Sequence, residues 1–381
     1  MRGHVARKGK CWYAVVDVGI DDETGRRKRK WHSGFKTKRE AEQALAKIVT
    51  QLGAGAYVEP SKATLGEYLL NEWLPATRTT IRPSTWESYR QKVVVHIVPA
   101  LGNTQLSALT PSRLNAFYAR LVESGRSDGR GLSARSVRYI HAVLRKALAD
   151  AVKWGRLPRN VAALADPPRE RRRPQLRTWS ADELRAFLDH VRGDRLYALW
   201  RLLASTGMRR GEALGLRWDD VDLDATTIAI RRAWIELNGR AAWSDPKTAR
   251  GRRMVAIDPT TVAALRAYRA QQAKERLALG AAYADDGLVF CEADGSPLNP
   301  AGVSKRFRRM SAESALPTIR LHDLRHTHAT LALMAGIHPK VVSERLGHAT
   351  IAVTLDTYSH AVPALQSEAA TRVANLIDGP N

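Results

Sequence analysis

Five side chains in the second half of this 381-residue chain are of types that can hold and attack a phosphodiester without a metal ion. They are, in chain order, Arg209, His322, Arg325, His348 and Tyr358. Guanidinium groups bind two phosphate oxygens at once and stabilise the charge of a pentavalent transition state. A tyrosine hydroxyl can attack phosphorus while a histidine takes up its proton. The set therefore predicts phosphoryl transfer through a tyrosine ester.

The His322-x-x-Arg325 spacing is a weak signal when it is taken alone. From the composition, about 1.8 of the 11 histidines are expected to have a lysine or arginine three residues later. His4-x-x-Arg7 is one such chance match. Tyr358 by itself would more often be an ordinary residue of an amphipathic helix. The order and the completeness of the set carry the interpretation.

This order resembles the signature of the tyrosine recombinases, the phage-type integrases. The stretch TGMRRGEALGLRWDDVD, residues 206–222, is similar to the first box of that family almost residue for residue. Leu346-Gly-His348 together with Tyr358 is similar to the second box. The resemblance covers residues 178–381 and identifies Arg209, rather than Arg210, as the active-site arginine. It implies a complete catalytic set, made of Arg209, Lys247, His322, Arg325, His348 and Tyr358.

The resemblance also implies how these residues share the reaction. Arg209 and Arg325 bind the non-bridging phosphate oxygens, and Tyr358 is the nucleophile that forms a covalent 3′-phosphotyrosine. His322 accepts or orients the phenol proton, and Lys247 protonates the departing 5′ oxygen. The covalent link conserves the energy of the broken ester, so neither ATP nor any other cofactor is expected. A strand of a second duplex can then displace the tyrosine.

The resemblance implies roles for His348 and for Glu212 as well, and two metal-like patterns are set aside. His348 donates a hydrogen bond to the phosphate, and Glu212 braces the site from behind. His326 and His328 suggest a metal site, but no carboxylate or third ligand accompanies them at suitable spacing. The acidic run 219–224 lacks the glycine and the terminal glutamate of a calcium loop. No metal is expected.

The elements that must position these residues can be predicted as well, beginning at the N-terminus. Residues 11–20 and 26–35 read as strands, and Thr37-Lys-Arg-Glu40 is a capping box for an amphipathic helix. We predict a small three-stranded sheet with one helix packed against it. Its other face would carry basic side chains suited to a DNA groove, or would simply be a solvated charged face. These side chains are Arg7, Lys8, Lys10, Arg26, Arg27 and Lys28.

Four helical patterns come next and predict an all-α core-binding domain. They run near residues 65–74, 83–97, 111–123 and 133–153. Pro83 and Pro111 occupy first-turn positions, and Ser133 is a candidate N-cap. The last helix combines an apolar stripe with a basic face that could straddle a duplex. The basic residues are Arg135, Arg138 and Arg145.

The proline-rich, charged segment 166–174 predicts a boundary between domains. Its arginines could also be read as a nuclear-localisation signal, but an interdomain linker that follows phosphates explains them better. The predicted division is 1–58 for an arm-type DNA-binding domain, 62–165 for the core-binding domain, 166–177 for the linker and 178–381 for the catalytic domain.

The catalytic domain is predicted to be mainly helical with a small antiparallel sheet. One strand is expected over residues 226–235, followed by an Asn238-Gly239 turn and a strand that returns through residues 253–257. Lys247 would lie between the strands. The fold class is therefore multidomain α+β.

Charge and cysteine content indicate the class of partner and the cellular location to expect. The formal net charge is +23, and the first 174 residues hold 33 basic against 15 acidic residues. Such an excess favours a polyanionic partner, of which nucleic acid is the commonest. Two distant cysteines exclude a disulfide framework, and no apolar run approaches the roughly 18 residues of a membrane span. A cytoplasmic location is expected.

The resemblance implies partners beyond the DNA itself. Integration or excision of a mobile element requires double-stranded attachment sites, a homotetramer on synapsed DNA, and accessory factors such as a DNA-bending protein and an excisionase. The apolar pattern of the tail, residues 363–377, fits docking on a neighbouring protomer or packing on its own domain. The rival functions are a type IB topoisomerase and a non-catalytic DNA-binding regulator.

Overall fold

The computed structural model describes residues 3–20, 25, 27–53, 62–170, 177–237, 240–244, 251–358 and 373–379. The predicted site residues Lys247 and Arg26 lie outside these ranges. The chain divides into two compact units, residues 1–173 and 174–381. Within the described ranges, no helix is long and apolar enough to cross a membrane.

The first unit begins with three antiparallel strands in the order β1-β2-β3. They are β1 (Gly3–Lys8), β2 (Cys11–Ile20) and β3 (Arg27–Phe35). Helix α1 (Lys38–Gly53) starts at the predicted capping box, since the Thr37 hydroxyl accepts a hydrogen bond from the Glu40 N–H at 3.2 Å. Ala14 and Val16 of β2 and Ala41 of α1 are fully buried. The predicted three-stranded sheet with one helix is confirmed.

The rest of the first unit is helical. Its α-helices are α2 (Leu65–Glu67), α3 (Leu74–Thr77), α4 (Pro83–Lys92), α5 (Val98–Leu101), α6 (Pro111–Ser124) and α7 (Ala134–Lys153). Two π-helical segments, Tyr68–Trp73 and Val93–Ile97, join α2 to α3 and α4 to α5. The first two predicted helices are therefore each continuous but wound irregularly. The all-α part of the predicted fold is confirmed.

Helix α7 shows why this part folds as it does. Ser133 caps it by accepting a hydrogen bond from the Ser136 N–H at 3.2 Å. Its apolar stripe, which includes Ile140 and Leu144, is fully buried. Burial of such side chains contributes about 1.5–3 kcal/mol each. The predicted basic residues of α7 are exposed: Arg135, Arg138 and Arg145.

The second unit is mainly helical and packs around an aromatic cluster. Its helices are α8 (Ala181–His190), α9 (Tyr197–Thr206), α10 (Arg210–Leu214), α11 (Pro259–Leu279), α12 (Pro300–Glu313), α13 (Asp323–Met334), α14 (Pro339–Leu346) and α15 (Ile351–Tyr358). The rings of Trp179 and Phe187 lie 4.9 Å apart, and those of Phe187 and Phe307 5.2 Å apart. These ring contacts pack α8 against α12 in the core of the unit that carries the motifs.

Two small antiparallel sheets complete the second unit. Their strands are β4 (Val221–Asp222), β5 (Thr227–Ile230), β6 (Ala233–Leu237), β7 (Arg240–Ser244) and β8 (Arg253–Ala256). One sheet has the order β4-β5-β8, and the other pairs β6 with β7. The segment that contains Lys247, 245–250, joins β7 to β8 and is outside the described residues, as is the predicted Asn238-Gly239 turn.

The prediction of one strand over residues 226–235 was wrong, because this segment belongs to two different sheets. The break falls at Arg231 and Arg232, whose side chains form ion pairs with the buried Asp220. These arginines offset part of the cost of burying the carboxylate. β8 pairs with β5, and the segment between them forms the separate β6-β7 hairpin.

Candidate active site

The position of Arg209 depends on a glycine that ends the preceding helix. Helix α9 ends at Gly207, whose φ of 64° is in the left-handed region. A Cβ at this position would lie 2.7 Å from atoms of His328 and of Leu346. Only glycine therefore allows this close, left-handed turn. The turn places Arg209 at the N-cap of α10.

The two arginines of the motifs are held by backbone carbonyls of left-handed glycines. Arg325 donates from Nη1 to the Gly207 carbonyl at 2.8 Å. Arg209 donates from Nη2 to the carbonyl of Gly347, whose φ is 69°, at 3.3 Å. Gly347 directly precedes His348. These bonds tie the three sequence motifs into one cluster.

Arg325 is 3% exposed and retains an unused donor. Its Nη2 is buried and has no hydrogen-bond partner among the described residues. Burial, followed by the nearby charge of Arg209, lowers the pKa of Arg325 to about 9. A buried guanidinium N–H without a partner costs free energy that a bound anion recovers.

A buried carboxylate neutralises this positive cluster. Glu212 is 6% exposed and accepts hydrogen bonds from Nη1 of Arg209 at 2.7 Å and from Nη2 of Arg253 at 2.9 Å. Burial alone would raise the pKa of Glu212, but the hydrogen bond and charge of Arg253 and the charge of Arg209 lower it overall. The carboxylate is therefore ionised at pH 7. Arg253 in turn donates from Nε to the Arg345 carbonyl at 2.7 Å.

Tyr358 ends α15 and is 1% exposed. Its hydroxyl lies 2.8 Å from Nδ1 of His326. Burial raises the pKa of the Tyr358 phenol to about 12, and the charge of Arg325 opposes this shift. The phenol is therefore protonated at pH 7, and its oxygen must lose a proton before or during any attack on phosphorus.

Two more histidines lie next to the Tyr358–His326 pair, and within the described ranges neither is hydrogen-bonded to the phenol oxygen. The ring of His322 meets the ring of His326 edge-on, with centroids 5.1 Å apart. The ring of His348 lies nearly parallel to that of Tyr358, with centroids 6.5 Å apart. His348 Nδ1 lies 2.7 Å from the Thr354 hydroxyl.

The histidines of the motifs are neutral at pH 7. Desolvation and the neighbouring positive charges, including that of Arg325, lower the pKa of both His322 and His348 to about 4. His322 is exposed at the edge of the cluster. Each neutral ring has one nitrogen that donates and one that accepts.

The structure thus groups most of the predicted catalytic residues. Arg209, Arg325, His348 and Tyr358 lie together with Glu212 in one cluster, and His322 reaches it through its contact with His326. The predicted DNA-binding residues of the sheet lie in the first unit: Arg7, Lys8 and Lys10 are exposed, and Arg27 and Lys28 are on β3. In the described part of the chain, no group of three or more potential ligand residues could hold a metal ion.

Sequence reasoning missed two residues of the cluster. His326 was considered only as a metal ligand, although it directly follows Arg325 and lies one helical turn after His322, a spacing that places both rings on one face. Arg253 was predicted only as the first residue of the returning strand. Its contact with Glu212 of α10 depends on the β5-β8 pairing, and no local pattern indicates it.

The buried Glu212–Arg253 pair leads to a test of stability. We expect Arg253→Met to lower the free energy of unfolding by about 3 kcal/mol at pH 7, because one partner of a buried carboxylate is lost. Arg253 holds the pKa of Glu212 low, so its contribution is present above the unfolded pKa of about 4.3 and is lost as the pH falls through the folded value. Urea unfolding should therefore show a difference between variant and wild type that narrows on acidification.

The matched control for this experiment is Arg252→Met, which changes the exposed neighbour. It should stay within about 0.5 kcal/mol of wild type. A loss in Arg253→Met that does not shrink as the pH is lowered well below about 4.3 would contradict the electrostatic explanation.

Comparison with family profiles gives three successive matches. Residues 5–52 match an arm DNA-binding domain. Residues 64–122 match the N-terminal SAM-like domain of phage integrases. Residues 177–364 match the phage integrase family.

Curated relatives are similar over nearly the whole chain. A XerC-like tyrosine recombinase of Caldanaerobacter subterraneus is 28% identical, and the alignment covers 97% of each chain. The ICEBs1 integrase of Bacillus subtilis is 26% identical over 95% of this chain and 96% of its own. An integrase of Streptomyces ambofaciens is 27% identical over 99% of this chain and 96% of its own.

Solved structures share the fold. The Tn1549 transposon integrase in complex with transposon right end DNA has a TM-score of 0.67 at 21% identity, over 80% of this chain and 98% of that chain. A lambda integrase tetramer bound to a Holliday junction has a TM-score of 0.56 at 18% identity, over 92% and 93%. With its motifs grouped as described, the chain belongs to the phage integrase (tyrosine recombinase) family and is a DNA-binding, site-specific recombinase of the kind carried by mobile elements, which breaks and rejoins DNA strands.

Proposed function

We propose that this recombinase integrates or excises its element through a covalent 3′-phosphotyrosine at Tyr358. The observation that carries the proposal is a buried tyrosine hydroxyl within reach of the charge of Arg325, whose Nη2 is a buried and unused donor. A phosphodiester at this cluster would satisfy the donor and lie beside the nucleophile. The same cluster argues against a regulator that only binds DNA.

Arg209 and Arg325 are the proposed phosphate ligands. Each guanidinium uses one nitrogen to bond a glycine carbonyl, so its orientation is fixed before DNA binds. Such preorganisation is what makes electrostatic stabilisation of a transition state effective. The role proposed for Glu212 is to balance the two charges while its bond to Arg253 keeps it from moving toward the phosphate.

His348 is the proposed hydrogen-bond donor to the phosphate. Its Nδ1 faces the Thr354 hydroxyl, which can donate to it. In that tautomer the hydrogen is on Nε2, where it is available to a phosphate oxygen. His322, which is also neutral, is proposed to orient the reacting groups from the edge of the site.

Lys247 is the proposed general acid. It lies between β7 and β8, and β8 also carries Arg253, which contacts Glu212. A lysine on this connection would precede, in the sequence, the strand that carries Arg253. Protonation of the 5′ oxygen completes the cleavage, and the ester bond to Tyr358 conserves the energy needed for rejoining, without ATP or a metal.

The proposed domains are those of the sequence analysis: an arm-binding domain at 1–58, a core-binding domain at 62–165, a linker at 166–177 and a catalytic domain at 178–381. The exposure of Arg7, Lys8 and Lys10 in one domain and of Arg135, Arg138 and Arg145 in the other supports their contact with attachment-site DNA. The first three would serve the arm sites and the last three the core. Arg26, Arg27 and Lys28 are proposed for the arm sites from the sequence.

The proposed assembly is a homotetramer on two synapsed sites, as lambda integrase forms a tetramer on a Holliday junction. Apolar side chains such as Val353 and Leu355 of α15 and Leu376 and Ile377 of the tail are exposed. Docking of a tail on a neighbouring protomer would cover them. A DNA-bending protein and an excisionase are further proposed partners, since arm and core sites must be brought together. The proposed location is the cytoplasm.

The nucleophile is tested with Tyr358→Phe. We expect the variant to bind core-site DNA with unchanged affinity and to form no covalent adduct, because only the hydroxyl is lost. The measurement is the yield of SDS-resistant complex on a nicked suicide substrate. Tyr118→Phe is a matched control, since Tyr118 is also buried and bonded to a histidine, His141, at 2.9 Å. Adduct formation by Tyr358→Phe would refute the assignment.

The role of Lys247 is tested by changing the leaving group. We expect Lys247→Ala to cleave normal DNA about 10²–10⁴-fold more slowly. On DNA with a 5′-bridging sulfur the rate should recover, because a thiol pKa of about 8.5 makes a thiolate a good leaving group. Arg209→Ala should not recover, since it stabilises charge on other oxygens. If Lys247→Ala stays equally slow on both substrates, the acid is another residue.

The arm-binding domain is tested by deletion of residues 1–58. We expect binding to flanking arm sites to weaken while binding to an isolated core site is preserved. If the domain contacts four phosphates, the slope of log K against log[salt] should become shallower by about 3.6 on arm-containing DNA. DNase footprints that still cover the arm sites after the deletion would contradict this role.

A further inference from the structure

His326 is the histidine that contacts the nucleophilic oxygen. Its Nδ1 lies 2.8 Å from the Tyr358 hydroxyl, and within the described part of the chain this is the hydrogen bond that the hydroxyl makes. A general base must lie within hydrogen-bond distance of the proton that it abstracts. His326 meets this condition before any DNA is bound.

The two other histidines of the site, His322 and His348, make ring contacts and are not hydrogen-bonded to the phenol oxygen within the described residues. His322 packs its ring against His326 rather than against the phenol. His348 stacks parallel to the phenol ring, and its Nδ1 is engaged by Thr354. Stacking positions a ring, but it transfers no proton from the oxygen.

The surroundings of the pair require a local proton acceptor and can stabilise it once protonated. Tyr358 is 1% exposed, so bulk water does not reach its hydroxyl in this state. Asp323 lies one helical turn before His326. Burial would raise the pKa of Asp323, but hydrogen bonds from Arg320 and the nearby His326 lower it, so the carboxylate is ionised at pH 7. Its negative charge favours an imidazolium at His326.

We propose that His326 is a catalytic residue that accepts the phenol proton of Tyr358 at Nδ1 during strand cleavage. The bond from the tyrosine oxygen to phosphorus forms, the bond from phosphorus to the 5′ oxygen breaks, and the phenol proton moves to Nδ1. The departing oxygen takes its proton from a separate acid. When the strand is rejoined, the imidazolium returns its proton to the phenol. The inference rests on the proposed role of Tyr358.

The Tyr118–His141 pair supplies an internal comparison. It has nearly the same geometry, with 2.9 Å between the hydroxyl and Nδ1, and Tyr118 is also buried. It belongs to the helical part of the first unit, whereas the arginines of the active-site cluster belong to the second unit. A tyrosine–histidine hydrogen bond alone therefore does not define a base, and His141 is the matched control for His326.

The first experiment is His326→Asn, studied by single-turnover cleavage of a nicked suicide substrate. The amide oxygen of asparagine stands near the position of Nδ1 and can accept the hydrogen bond, but it does not take up the proton. We expect unchanged affinity for core DNA and a cleavage rate about 10²–10⁴-fold lower. His141→Asn should cleave at the wild-type rate. Cleavage by His326→Asn at or above the wild-type rate would overturn the proposal.

A second measurement separates proton transfer from a structural role. With 3,5-difluorotyrosine at position 358 the phenol is more acidic and needs less help to ionise, so the rate penalty of His326→Asn should shrink. The penalty of His322→Asn should stay the same. A penalty of His326→Asn that fluorination leaves unchanged would refute proton transfer, and a shrinking penalty in His322→Asn instead would assign the base there.

A third variant guards against misfolding as the explanation. His326→Ala should regain adduct formation when imidazole is added, which a misfolded chain would not do. Failure of imidazole to restore any cleavage counts against the proposal. These outcomes are independent of the proposed function: adducts formed by Tyr358→Phe would refute the nucleophile itself, whereas an active His326→Asn beside an inactive Tyr358→Phe refutes the base alone.

Discussion

The buried carboxylate of Glu212 is the interaction on which the rest of the catalytic unit depends. Three arginines, Arg209, Arg253 and Arg325, are drawn toward one place, and like charges in a poorly solvated site repel strongly. A single ionised carboxylate between two of them makes the arrangement possible. The helix that carries Glu212, the strand that carries Arg253 and the turn at Gly347 must therefore all form before the site exists.

This dependence explains why the catalytic unit has its mixed architecture. Helices α9, α10 and α13 could pack through apolar side chains alone, but Arg253 reaches Glu212 only because β8 pairs with β5. The small sheet thus positions Arg253 against Glu212, next to the proposed phosphate site. A second buried carboxylate, Asp220, pairs with Arg231 and Arg232 where the chain passes from β5 to the β6-β7 hairpin.

Much of the fold was predictable because its signals are local. Caps such as Ser133 and Ser180 satisfy backbone groups three residues away, and the stripe of α7 repeats at helical spacing. The resemblance to the recombinases added the family and most of the site. What the sequence could not indicate depends on distant partners: His326 meets Tyr358 32 residues later, and Arg253 meets Glu212 41 residues earlier. No sequence spacing predicts either contact, because each forms only when distant elements pack together.

The two left-handed glycines have a consequence for the engineering of new specificities. Gly207 and Gly347 present main-chain carbonyls to Arg325 and Arg209, so the aim of both arginines is set by the path of the backbone. When two side chains bond to each other, both can be substituted together. A backbone carbonyl has no side chain to substitute, so a change at the arginine cannot be compensated in this way. Libraries designed to retarget this recombinase should therefore keep both turns constant and vary exposed side chains elsewhere.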